Sequence, residues 1–87
     1  MNKTIIYIHA LAADYLNSLG NPDAKIQISE FITKLGSNPE LCGDYRQPDP
    51  RGRMMEVKLI GRQAIIFFKD PFANLVKVLD IRNIEAL

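Results

Sequence analysis

At 87 residues, 47% apolar and 24% charged, the chain has the size and composition of one soluble globular domain spanning residues 1–87. Its net charge is only +1, but the charge is divided unevenly along the chain. Residues 1–45 carry three Lys against five Asp/Glu, a net of −2, whereas residues 46–82 carry eight Lys/Arg against four acids, a net of +4. Such asymmetry points to an anionic partner for the C-terminal half, or to a solvated sheet face. Cys42 is the single cysteine and His9 the single histidine, which rules out an intrachain disulfide, makes a structural zinc site improbable, and suits a reducing, cytoplasmic setting. No run approaches the ~18 apolar residues of a membrane span.

Thr4 to His9 is β-branched and aromatic, as a first strand would be. Reading it as a signal peptide is disfavoured, because it is short and cleavage after Ala12 would remove that strand. From Ala10 to Leu19, Leu11, Ala12, Tyr15, Leu16 and Leu19 recur at helical spacing, with Gly20 placed to end the helix in the left-handed conformation. Asn21-Pro22-Asp23 then opens a second helix: Asn21 caps, Pro22 needs no amide donor at the first position, and Asp23 suits the positive end of the dipole. Its apolar face is Ala24, Ile28, Phe31, Ile32 and Leu35, and Gly36 is expected to end it. Residues 37–52, with Pro39, Pro48 and Pro50, read as a long loop in which prolines exclude a helix.

Met54 to Ile60 alternates as a strand, Gly61-Arg62 fits a type II′ hairpin turn, and the uninterrupted Ala64-Ile-Ile-Phe-Phe68 predicts a central strand covered on both faces. Asp70 to Asn74 is a turn by composition, and Leu75 to Ile81 is a last strand. The expected fold is therefore α+β, in the order β-α-α-β-β-β: a four-stranded, mostly antiparallel sheet with a two-helix hairpin on one face. The other face of the central strand then needs cover, and a homo-oligomer is one candidate.

There is no nucleophile motif, no Gly-rich phosphate loop and no paired carboxylates at useful spacing. What stands out is Arg46, Arg51, Arg53, Lys58, Arg62, Lys69, Lys77 and Arg82, with Tyr45 close by. Arginine forks suit phosphate oxygens and an aromatic ring can stack on a base, so Tyr45, Arg46, Arg51, Arg53, Lys58 and Arg62 are candidate nucleic-acid contacts. A metal-free ribonuclease could use such cations directly, one stabilising the phosphorane while a second group moves protons. With the Gly61-Arg62 turn, Glu56, Lys58, Gln63, Ile65 and Phe67 share one face, opposite Val57, Leu59, Ala64 and Ile66. We expect the second set to meet the helices, leaving Lys58 on the open face above an aromatic floor formed by Phe67.

The first strand, a helical hairpin ending in Leu35-Gly-Ser-Asn-Pro39, and the meander through Met55-Glu-Val-Lys-Leu-Ile-Gly-Arg-Gln-Ala-Ile-Ile-Phe-Phe68 and Leu75-Val-Lys-Val-Leu-Asp-Ile81 together resemble the RelE/ParE-like toxin superfamily of bacterial type II toxin–antitoxin modules. The resemblance implies an antitoxin partner, no cofactor and no metal, and action on translation through mRNA at the ribosome or on DNA gyrase. For the mRNA-endoribonuclease branch it implies catalytic roles for Lys58, Arg62 and Arg82. Lys58 matches a basic strand position, Arg62 stands in for an arginine whose place falls at Ala64, and Arg82 lies near a late basic position. The chain ends Asn83-Ile-Glu-Ala-Leu87 without the branch's C-terminal aromatic. The gyrase-directed branch asks less of these positions, and a non-enzymatic binding or oligomerisation module on the same scaffold is the alternative.

Overall fold

A computed structural model describes residues 4–38, 40–70 and 72–86. Pro39 and Pro71, expected in turns, lie outside the described residues. The elements run β1 (Ile5–Ile8), α1 (Ala10–Ser18), α2 (Pro22–Ser37), β2 (Tyr45–Pro48), β3 (Met54–Ile60), β4 (Gln63–Asp70), β5 (Leu75–Asn83) and a 3-10 turn, Ile84–Ala86. Among the described residues no helix is long and apolar enough to cross a membrane.

The second helix starts as its sequence dictates. Asn21 accepts hydrogen bonds from the amides of Asp23 (3.0 Å) and Ala24 (3.3 Å), with Pro22 following the cap. The two glycines expected to end helices act differently. Helix α1 stops at Ser18, and Leu19 turns extended (φ −66°, ψ 121°), leading straight into the next cap, while Gly20 has no positive φ. Gly36 lies inside α2, where a Cβ would sit 3.2 Å from Ile6 Cδ1; its missing side chain gives β1 room to pass. His9 caps α1 through Nδ1, which accepts from the Leu11 amide at 3.3 Å.

Among the described residues the sheet has five strands, in the order β1-β5-β4-β3-β2, rather than four. All neighbours are antiparallel except β1 and β5, which run parallel. The extra strand, β2, comes from the proline-containing segment expected to be a loop. Pro48 pairs with Met54 at the end of an edge strand, where a missing N–H costs little. The Asp49–Gly52 turn then closes the hairpin: the Asp49 amide donates to the Arg53 carbonyl (2.7 Å), and Gly52 takes a φ of 83°. At the next hairpin the positive φ falls on Gly61 (57°) and not on Arg62, with Ile60 opposite Gln63, as a type II′ turn requires.

That register divides the side chains as expected, but the helices choose the other set. Ile65 and Phe67 join Val76, Val78 and Ile81 of β5 beneath Ala12, Ile28, Phe31, Ile32 and Leu35. Val57, Ala64 and Ile66 form a smaller cluster on the opposite face, with Met55 and Ile84 against it. Bulk explains the choice. Phe67 is fully buried and meets Phe31 edge-on at 5.7 Å between ring centroids, a contact that the small Ala64 could not supply. The pattern of β4 is apolar on both faces and cannot decide this by itself; its partners do, Phe31 from α2 with Val76, Val78 and Ile81 from β5.

The two adjacent phenylalanines therefore test the face assignment. Phe67→Ala should cost about 3–5 kcal/mol, a large part of a small domain's stability. Phe68→Ala, on the open face, should cost clearly less in a thermal or denaturant melt; equal losses would refute the assignment.

Candidate functional site

Because side chains alternate, the open face of the sheet follows from the register. It carries Tyr45 on β2, Leu59 on β3, Ala64, Ile66 and Phe68 on β4, Lys77, Asp80 and Arg82 on β5, and Ile5 and Tyr7 on β1. Near β1 and β5 the face deepens into a cleft of about 470 Å³ whose walls include Tyr7, His9, Arg53, Lys77 and Leu79. Tyr7 is 54% exposed, and the Arg53 guanidinium lies 4.7 Å above the Phe68 ring. Lys77 has no acidic partner among the described residues. A flat ring, a planar guanidinium and an unpaired ammonium beside apolar walls are what a stacked base and its phosphate need. Tyr7 was missed by sequence reasoning, since a lone aromatic in a first strand looks like core; only the parallel pairing Tyr7–Lys77 brings it beside a cation.

The residues singled out from sequence are dispersed. Tyr45, Arg53 and Arg82 belong to the open face, with Arg82 held by Asp80 (Nε to Oδ2, 2.9 Å). Arg51 is exposed in the β2–β3 turn, and Arg62, in the β3–β4 turn, meets Glu85 at 3.4 Å. Lys58 was expected on the open face and instead shares the helix face with Ile65. Its ammonium lies 5.9 Å from the centroid of the Phe31 ring and 3.3 Å from Asp44 Oδ1. The physical reason is the same bulk-driven choice of face. Phe67 is consequently a buried core residue and provides no aromatic floor. Lys58 and Arg82 thus stand on opposite faces of the sheet.

Carboxylates organise the cations. Glu56, 8% exposed, accepts from the Gly43 amide (2.9 Å) and from Arg46 Nε (2.8 Å), and this contact raises the Arg46 pKa. The chain can approach so closely only because residue 43 is glycine: a Cβ there would lie 2.6 Å from the Val57 carbonyl oxygen. Asp49 accepts from the amides of Arg51 and Arg53 and from Arg53 Nε, each at 2.8–2.9 Å, which fixes the arginine over Phe68. Asp44 Oδ2 accepts from the Leu59 amide at 2.7 Å, satisfying a donor on the edge of β3 beyond the reach of β2. Among the described residues no three His, Cys, Asp or Glu side chains converge as metal ligands would.

The fold of the chain is similar to that of solved RelE structures. Three solved structures illustrate the likeness. The RelE–RelB complex from the archaeon Pyrococcus horikoshii OT3 superposes with a TM-score of 0.76 at 17% identity, covering 95% of this chain and 97% of that one. The toxin–antitoxin complex RelBE2 from Mycobacterium tuberculosis gives 0.70 at 15% identity, covering 94% and 99%. A mutant of the E. coli toxin RelE in the free state gives 0.71 at 10% identity, covering 98% and 87%. No family model matches the sequence, and no curated protein matches it.

Acid should loosen the carboxylate contacts. The backbone hydrogen bond from Leu59, aided by Lys58, holds Asp44 below its ordinary 3.8, and the side-chain bond from Arg53 holds Asp49 below the same value. A depressed carboxyl contributes stability that is full above the unfolded value and is lost as pH falls through the folded one. Wild-type denaturation midpoints should therefore fall from about pH 5 to about pH 3. Asp44→Asn, which keeps the acceptor oxygen, should fall less steeply; an identical slope would exclude Asp44 as a contributor.

Proposed function

We propose that the chain is the toxin component of a type II toxin–antitoxin pair that acts on RNA during translation, with the open sheet face as its RNA-binding surface. The whole-chain likeness to RelE structures, several of them RelB complexes, is the observation that carries this reading. On it, a small antitoxin binds the chain and holds it inactive. Tyr7 and the Arg53–Phe68 stack would receive bases, while Lys77 and Arg82 would contact phosphates, Arg82 exchanging Asp80 for the ligand. Arg62 and Lys58, proposed as catalytic from sequence, would serve only after releasing Glu85 and Asp44 respectively.

A second reading has its own support. Lys58, Arg62 and Arg82 are each ion-paired within the chain, as in a binding module that has no phosphate to hold. Action on gyrase would likewise make no demand on the Tyr7–Lys77 cleft.

Induced expression separates these readings. Growth arrest with a fall in protein synthesis is expected, relieved by co-expression of a cognate antitoxin; normal growth at verified soluble expression would reject the toxin. Arrest with DNA damage and intact synthesis would favour gyrase. In vitro, Lys77→Ala should weaken single-stranded RNA binding and lower the salt slope by about one unit. Its melting temperature should stay near wild type. An unchanged slope would remove Lys77 from the surface.

A further inference from the structure

The two outer strands of the sheet differ in how they meet solvent. At one edge β2 is guarded, since Pro48 removes a donor and Arg46 carries a charge held by Glu56. At the other edge β1 has neither device. Thr4 to Ile8 is uncharged and free of proline, and it leaves Ile5 (64% exposed) and Tyr7 (54%) in solvent. The backbone of β1 is half used. The amides of Ile5 and His9 donate to the carbonyls of Asn74 and Val78 at 3.0 and 2.9 Å. Bonding alternates along a parallel ladder, so Ile5, Tyr7 and His9 turn their polar groups toward β5, while Ile6 and Ile8 turn theirs outward. Among the described residues nothing bonds to that outer side.

Such an edge accepts another strand, and its own pattern selects which. A twofold axis at Ile6 brings two copies of β1 together antiparallel, with Ile6 opposite Ile6 and exchanging both N–H···O bonds. Thr4 then lies opposite Ile8, and Ile5 opposite Tyr7. Each pair keeps to one face, Ile5 and Tyr7 on the open side and Ile6 and Ile8 on the helix side. Every Ile5 gains an aromatic neighbour, a favourable cross-strand pair, and no like charges meet. An axis between Ile6 and Tyr7 fails, because it sets residues of opposite faces against each other. On the helix side Gly36, which lies against Ile6, has no side chain to stand over the edge. A charged peptide would find no complementary charge along this row.

We propose that the chain forms a symmetric dimer by antiparallel pairing of β1 with β1, joining two five-stranded sheets into one. The dimer stands apart from the toxin reading but bears on the same surface. Ile5 and Tyr7 are walls of the open-face cleft, so a second copy adds its own Tyr7 to the outer side of that cleft.

Sedimentation should show the full chain passing from monomer to dimer in the micromolar range, as the small interface of a short strand allows. Register is read by cross-linking. In a Cys42→Ser background, Ile5→Cys and Tyr7→Cys proteins are mixed in equal amounts and oxidised, and circular dichroism checks that both exposed-site variants are folded. Position 5 of one copy and position 7 of the other form a non-hydrogen-bonded pair about 4.5 Å apart at Cα, within disulfide reach. Two copies of position 5, or of position 7, lie on a diagonal about 7–8 Å apart, at or beyond its limit. We expect about tenfold more disulfide-linked dimer in the mixture than in either protein oxidised alone. A chain that stays monomeric at about 1 mM, or cross-linking that is absent or equal in the three samples, would overturn the proposal. So would Ile6 and Ile8 amides that exchange freely in the chain alone and become protected only with an antitoxin, which would assign the edge to that partner.

Discussion

The edge-on contact between Phe31 and Phe67 decides which side of this sheet is inside. A sheet whose central strand reads Ala-Ile-Ile-Phe-Phe could bury either face, and the register alone is indifferent. Once α2 brings Phe31 down, the face with the larger side chains closes around it, and Ile65, Val76, Val78 and Ile81 follow. The face left over carries Val57, Ala64, Ile66 and Phe68, with Tyr7, Tyr45, Arg53 and Lys77 around them. The candidate surface is in this sense the complement of the core.

The excess of positive charge in the C-terminal half does not form one continuous field. Asp44, Asp49, Glu56, Asp80 and Glu85 each engage a Lys or Arg from that half. Paired cations of this kind shape the backbone more than they attract a distant polyanion, because their fields cancel beyond a few ångströms in salt. Asp49 orders a turn and aims Arg53, while Glu56 draws the Gly43 amide inward. Lys77, Lys69 and Arg51, which have no carboxylate partner among the described residues, contribute more to any long-range attraction than their number suggests.

Much of the architecture was legible because it rests on local chemistry. The Asn21-Pro22 cap, the Gly61 turn and the alternation of β3 each have a short-range cause. The fifth strand was not legible, since two-residue proline spacing looks the same in an irregular loop and in a short edge strand that needs no donor at Pro48. The choice of face was hidden for a different reason. It depends on Val76, Val78 and Ile81 arriving from another strand, and on a bulge that no local pattern announces. The open face inherits that ambiguity: Arg53 and Tyr45 stand on it, Lys58, expected there, stands on the other side, and Tyr7 reaches it only through the pairing of β1 with β5.

The bulge lies where Ile66 faces Asp80 and Phe67 faces Val78, leaving Leu79 as the supernumerary residue. Val78 before it and Ile81 after it both reach the core. Were Leu79 lost, Val78, Asp80, Ile81 and Arg82 would fall into plain alternation, each still directed to the side it now occupies. The last strand can therefore change length by one residue without turning its core outward. What would change is the bend of the strand, and with it the curvature of the open face. Position 79 is thus a point at which a lineage of such proteins could reshape its exposed surface by insertion or deletion while leaving the interior untouched.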